Sequence, residues 1–213
     1  MPESGFPPPA RDLQTIADKL EITELVQLER LWRDSGEWDL VAEAYTEDAV
    51  IRTTWFEGNA RQFALGSKDM AARGRHSKHP IQPLYVHIVG DRALIESRGQ
   101  IQFRTAVGGV GADLTQYVRF VSRAVRTADG WRLASFEGIY ERGTIAPIDP
   151  SAVLPLDWAD VEASSPRASY QLWAWSHLQR GYPPTPADLL GDDEPDQVRA
   201  FHEGERRWLH GDS

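Results

Sequence analysis

The sequence contains no cysteine. That single absence excludes a thiolate nucleophile, a Cys-ligated zinc site and a disulfide framework. Long apolar runs are also missing, and none approaches the ~20 residues that cross a bilayer. Basic residues are outnumbered, with 23 Lys and Arg against 32 Asp and Glu and a net charge of −9. Nucleic-acid surfaces need clustered, unopposed cations, so this balance argues against such a partner. No Gly-x-Ser-x-Gly elbow, His-Glu-x-x-His helix or phosphate-binding glycine loop occurs. Gly108-Gly109-Val110-Gly111 falls between two strand patterns, where it cannot serve as a dinucleotide fingerprint. What is present is a chain of 213 residues, 41% of them hydrophobic. A single domain of that size buries roughly 70% of its unfolded surface without a metal or disulfide. The expectation is a soluble, acidic, cytoplasmic protein with neither a nucleic-acid nor a membrane partner.

Residues 1–11 are proline-rich and predict a disordered lead-in. From Asp12, apolar residues at Ile16, Leu20, Ile22, Leu25, Val26 and Trp32 predict an amphipathic helix ending near Asp34. Ser35-Gly36 breaks it, and a short helix follows over 38–45. A polar turn at 46–48 leads to a strand over 49–55, and a third helix spans 60–72. The period then changes to two. Strands are predicted over 81–89, 93–105, 114–126 and 131–142, with a glycine-rich loop at 107–113. Helices followed by an antiparallel meander predict an α+β fold. Beyond residue 144 the composition shifts. An irregular stretch over 145–155 precedes a helix capped by Ser164 or Ser165 and running to Leu178. A loop over 181–186 and a last helix over 196–209 complete the extension, residues 145–213.

Four phrases, in order, carry a family resemblance: LWRDSGEWD at 31–39, AYTEDAV at 44–50, VGDRA at 89–93 and RTADGWRL at 126–133. With the element order over residues 12–144, they make the chain resemble the SnoaL-like branch of the nuclear-transport-factor-2-like superfamily, and within it the scytalone dehydratase and dehydrochlorinase members. The resemblance implies a cone-shaped, curved antiparallel sheet whose wide end is covered by three N-terminal helices over a pocket. It also implies a dimer or trimer formed through the sheet. The scaffold hosts lyases, isomerases, hydrolases and binders, so function has to come from the pocket residues.

Asp34 stands at a helix C-terminus, where the helix dipole disfavours a carboxylate. Either it caps the next helix, with Glu37 completing a capping box, or it points into the cone. The second reading matches the aspartate that orients a catalytic histidine in the dehydratase-like members, and His79 aligns with that histidine. A neutral imidazole held by a carboxylate is a competent general base. Arg119 shares a strand face with Tyr117, and inside a cone it would hold an anion or a developing oxyanion. Trp32, Tyr45, Trp55, Phe56 and Tyr117 are the candidate lining for a small apolar or aromatic molecule. His76 and His79 lack the nearby carboxylates of a metal site, and no cofactor is expected. The leading expectation is a cofactor-independent lyase of the dehydratase or dehydrohalogenase type. An isomerase or polyketide-type cyclase begins with the same proton abstraction, and a non-catalytic binding or assembly module is the alternative from another class.

Overall fold

The computed structural model describes residues 12–182, 186 and 188–211. The expected lead-in at 1–11 and positions 183–185 of the expected loop lie outside the described residues. Helix α1, Leu13–Ser35, is capped by Asp12, whose carboxylate accepts the Thr15 N–H at 2.8 Å, and it stops at Gly36 in the left-handed region (φ 85°). Such a stop favours glycine because no Cβ clashes there. The buried stripe of α1 is Asp18, Ile22, Val26, Glu29 and Arg30, at spacings of four, four, three and one. Ile16 and Leu20, expected on that stripe, are exposed, so α1 turns charged residues inward. Asp18 is satisfied there by Arg126 and by the Trp131 indole N–H.

Helix α2, Trp38–Glu43, has Glu37 at its N-cap with no side-chain capping bond. Strand β1, Tyr45–Arg52, includes the stretch expected as a turn, and β2, Glu57–Gly58, is short. Helix α3, Ala60–Ala72, is capped by Asn59. Strands β3 (Ile81–Val89), β4 (Arg92–Val107), β5 (Val110–Thr127) and β6 (Gly130–Pro147) follow. The glycine-rich loop shrinks to Gly108-Gly109, both at positive φ (55° and 85°), the two-residue turn that matches strand twist. As a result β5 starts at Val110, and β6 runs on to Pro147, into the first three residues of the stretch expected to be irregular.

The sheet order is β2-β1-β6-β5-β4-β3. Its pairs are antiparallel except β1–β6, which is parallel. Register shifts in β5–β6 after Tyr117 and Arg123 are the bulges that bend long strands. On β5, Val118, Phe120, Ser122 and Ala124 are buried in the concave face, while Arg119 and Arg123 turn to the other.

Three further helices complete the chain: α4 (Trp158–Ser164), α5 (Gln171–Gln179) and α6 (Pro195–His210). Ser165 ends α4 instead of starting α5, and its hydroxyl accepts the Arg167 N–H at 3.1 Å. Helix α5 is buried nearly all round, from Leu172 through His177, as a helix inside a core must be. It joins the cluster formed by the concave face, where Trp173 meets Phe103 edge-on at 5.1 Å. Helix α6 packs on the opposite face. Val198 and Phe201 meet Val121, Ile139 and Leu190, and Arg123 forks onto Glu205 with both bonds at 2.8 Å. No described helix is long and apolar enough to cross a membrane.

Candidate active site

The last turn of α1 and the segment entering β3 meet at Asp34 and His79. Lys78 exchanges backbone hydrogen bonds with Gln102 of β4, at 2.8 and 2.9 Å, which pins this segment to the sheet. The Asp34 carboxylate then grips His79 twice. One oxygen accepts the His79 backbone N–H at 2.6 Å, and the other lies 2.5 Å from Nδ1. With Nδ1 donating to a carboxylate, the imidazole is the Nδ1–H tautomer and Nε2 carries the lone pair. Asp34 caps nothing, since α2 takes Glu37 at its N-cap without a side-chain bond.

A cation also covers the ring. Nη1 of Arg33, one residue before Asp34, lies 2.6 Å from Nε2 and 3.1 Å from Nδ1 of His79. Burial, followed by the charge of Arg33, pushes the His79 pKa down to about 3, so the ring is neutral at pH 7. Burial raises the Asp34 carboxyl, but the hydrogen bonds and charge at His79 outweigh it and hold its pKa below the ordinary value. Behind this pair, Glu29 and Arg30 form a buried forked ion pair, and the Arg30 guanidinium lies 4.3 Å from the Phe136 ring centroid.

His79 opens onto a cavity of about 40 Å³ under the concave face. Its walls are arginine and aromatic: Arg30 and Arg33 from α1, Trp55, Phe63 from α3, Phe120, Phe136 and Tyr140 from the sheet. The C-terminal extension closes it with Trp173, His177, Arg180 and Tyr182. Trp173 is fixed by its indole N–H, which donates to the Thr54 hydroxyl at 3.0 Å. His177 is 3% exposed, and its Nδ1 has no hydrogen-bond partner among the described residues. Burial, then the nearby Arg180, lowers its pKa to about 3. A second space of about 140 Å³ adjoins the first and shares Arg33, Met70, Arg75 and Ser77 with it.

Of the residues singled out in the sequence, His79 and Trp55 line this cavity, and Asp34 stands behind His79 in the wall of the neighbouring space. Phe56 stands one layer back, its ring centroid 5.5 Å from those of Trp55 and Phe63. Tyr45 is buried beside the Glu29–Arg30 pair, and burial, then Glu29, raises its pKa well above the ordinary value. Trp32 packs half-buried against the core away from the cavity. Two expectations are corrected. Arg119 is not inside the cone: it lies on the other face, bonded to Glu96 at 3.0 Å and Glu141 at 3.2 Å. Tyr117 shares that face, under the Arg142 guanidinium at 4.6 Å. The physical reason is strand alternation, which puts 117 and 119 opposite the inward-facing 118 and 120.

Sequence reasoning missed Arg33, Phe63, Tyr140, Trp173, His177 and Arg180. A signal existed for Phe120, on the apolar face of β5, and for Trp173, in the apolar run at 170–178. Nothing in the sequence ties His177 to His79. Among the described residues, no three His, Asp or Glu side chains converge as metal ligands would.

Residues 14–137 match the SnoaL-like domain family, and the chain belongs to that family. The fold is similar to several solved structures. The Kfla4162 protein of Kribbella flavida is 24% identical, over 58% of this chain and 90% of that one, with a TM-score of 0.52. An NTF2-like protein with a cystatin-like fold from Novosphingobium aromaticivorans is 23% identical, covering 66% and 88%, with a TM-score of 0.50. Hexachlorocyclohexane dehydrochlorinase LinA-type3 from Novosphingobium barchaimii LL02 is 16% identical, covering 68% and 100%, with a TM-score of 0.54. At these identities the likeness is one of fold. No curated protein matches the chain. The family match stops short of α4–α6, so His177 and Arg180 come from outside it.

Proposed function

We propose that the protein is a cofactor-independent lyase that removes a proton and a vicinal leaving group, water or halide, from a small molecule with an aromatic or apolar frame. The observation that carries this reading is the double grip of Asp34 on His79, at 2.6 Å to the backbone N–H and 2.5 Å to Nδ1. A carboxylate so placed fixes the tautomer that leaves Nε2 as the base and stabilises the imidazolium formed when the proton arrives. Arg119 is withdrawn from the donor role. Tyr140 takes its place as the candidate acid toward the leaving group: it lines the cavity, and burial keeps its phenol protonated well above the ordinary range. Trp55, Phe120 and Trp173 exclude water from the reacting bonds. Dehydrochlorination in LinA-type3, a neighbour in fold, is chemistry of this type.

Isomerisation or cyclisation would begin with the same abstraction and differ only in the fate of the carbanion. A different reading, a binding module without turnover, is favoured by one observation. The Arg33 guanidinium lies over the His79 ring, 2.6 Å from Nε2. Turnover decides between them. Alcohols and halides bearing an acidic C–H beside the leaving group would be screened for release of water or halide, with wild type and His79→Ala in parallel. Turnover in wild type that falls by about a hundredfold or more in His79→Ala supports the lyase. Equal rates in both proteins would end it. Self-association as a dimer or trimer is also proposed, and sedimentation tests it.

A further inference from the structure

The lining of the cavity is unusual for a chain of net charge −9. Arg30, Arg33, Arg75 and Arg180 all face it, and no carboxylate is in its wall. The two nearby acids are already engaged, Glu29 with Arg30 and Asp34 with His79. Among the described residues, Arg33, Arg75 and Arg180 therefore have no carboxylate at ion-pair distance. Arg75 donates Nη2 to the Arg180 carbonyl at 2.7 Å, and both guanidiniums rest on rings. Arg75 lies 4.4 Å from the Tyr182 centroid and Arg180 lies 4.1 Å from that of Phe103. Half-buried guanidiniums without counter-ions carry part of their desolvation cost unpaired, and a bound anion offsets it.

Resting on the lyase reading, we propose that the cavity takes a small organic anion, a carboxylate on an aromatic or apolar frame, and that this carboxylate draws the Arg33 cation off the His79 ring and so uncovers the base. Arg33 is the movable element of the site. Its Nη1 lies 2.6 Å from Nε2 and 3.1 Å from Nδ1 of His79, and its Nε donates to the Ser67 hydroxyl at 3.3 Å, none of them a partner of opposite charge. A carboxylate is the better partner for a guanidinium, because it accepts two parallel bonds and carries the opposite charge. Burial, followed by the charge of Arg30, lowers the Arg33 pKa to about 10, with Glu29 and Asp34 opposing the shift.

Two further observations fit the same ligand. His177 is buried and its Nδ1 has no partner. As an N–H at the cavity wall it would donate to an incoming oxygen, and a buried polar atom left unmatched is uncommon. The second concerns room. About 40 Å³ holds a few waters or a carboxylate-sized group, not a ring. Arg33 lies between this cavity and the neighbouring 140 Å³ space, so its departure from His79 would join the two. One movement would both unmask the base and make room for the frame.

The test uses the full chain, with benzoate, cinnamate and acetate as anionic probes and benzamide as the neutral match to benzoate. Affinity is read by calorimetry, and the His79 Nε2 environment by ¹⁵N NMR of histidine-labelled protein. The expected result is that benzoate or cinnamate binds more tightly than benzamide, and that the Nε2 resonance moves on binding. Arg33→Gln and Arg180→Gln should each cut the preference for benzoate over benzamide by about tenfold or more. If Arg33→Gln does not fold, Arg180→Gln and the wild-type Nε2 shift decide the matter. The proposal is overturned if benzamide binds as well as benzoate, if no carboxylate binds at millimolar concentration, if the folded variants keep the wild-type preference, or if Nε2 is unmoved by the bound acid. None of these readouts needs turnover. A chain that binds benzoate as expected, yet whose turnover ignores His79→Ala, keeps the anion site and loses the lyase.

Discussion

Arg33 and Arg119 invite comparison, one inside the cone and one outside. Arg119 is a quarter exposed and sits between Glu96 and Glu141. Arg33 is half-buried, in contact with a histidine and a serine, and has no carboxylate at ion-pair distance among the described residues. The first arrangement is balanced and complete, the usual condition of a partly buried arginine. The second is incomplete, and incompleteness of charge in a closed site is what a ligand can exploit. The same contrast separates Arg123, forked onto Glu205, from Arg180, which rests on the Phe103 ring. Position on a strand or helix did not distinguish these arginines as well as their partners do.

The largest effect that would break this comparison is on turnover. Asp34→Asn keeps the shape of the grip but removes its charge. Its rate should fall by about a hundredfold or more, and the double variant with His79→Ala should be little slower than the worse single one. Arg119→Gln should leave the rate within a factor of about two, as expected for a surface ion pair. A large loss of rate in Arg119→Gln would restore it to the site.

Next in size is the extension. Ending the chain after Pro150 removes α4–α6 and exposes the surfaces under Leu172, Trp173 and Val198. Each large apolar side chain lost from the interior costs about 2 kcal/mol, so the melting temperature and solubility should drop sharply. A truncated chain as stable as the whole would mean that α5 is not part of the core.

The charge environment of His79 gives a smaller but sharper test. Arg33→Gln removes a cation lying against the ring, so the His79 pKa should rise from about 3 by about one unit or more. Asp34→Asn should not raise it, since the carboxylate favours the imidazolium. Histidine NMR titration separates the two, and equal shifts in both would contradict the assigned bonds.

Acid stability follows from the same groups. His79 and His177 have folded pKa values near 3, below the ~6.5 of an unfolded histidine. Between those values the unfolded chain binds more protons, so stability falls as pH drops through that window, by about 1 kcal/mol per unit for each histidine. Asp34, also depressed, adds its loss below its unfolded pKa. His177→Gln should flatten the acid limb by one proton in urea denaturation across pH, and an unchanged limb would mean that His177 titrates normally.

Much of the fold was legible because it is written in local periods. Helix α3 over 60–72 and strand β3 over 81–89 fall where the pattern puts them, and the faces of β5 follow from alternation. The C-terminal boundaries were not, because Ser165 satisfies Arg167 in a turn instead of capping α5, a choice made by tertiary packing. Within the site, Asp34 was conspicuous as a carboxylate at a helix C-terminus, and His79 by its place before β3. Arg33 gave no such signal. Its direction depends on the pitch of α1 against α3 and β3, and one residue's rotation decides whether it meets solvent or Nε2. His177 reaches the site only through the packing of α5 on the concave face, which no local pattern encodes.

The central claim is that Asp34 holds His79 as a neutral base with its lone pair at Nε2. The most direct measurement is the ¹⁵N spectrum of histidine-labelled protein at neutral pH, in wild type and in Asp34→Ala. The account predicts a neutral His79 ring protonated at Nδ1 in wild type, with that preference lost when the carboxylate is removed. An imidazolium, an Nε2–H tautomer, or a spectrum unchanged by Asp34→Ala would contradict it.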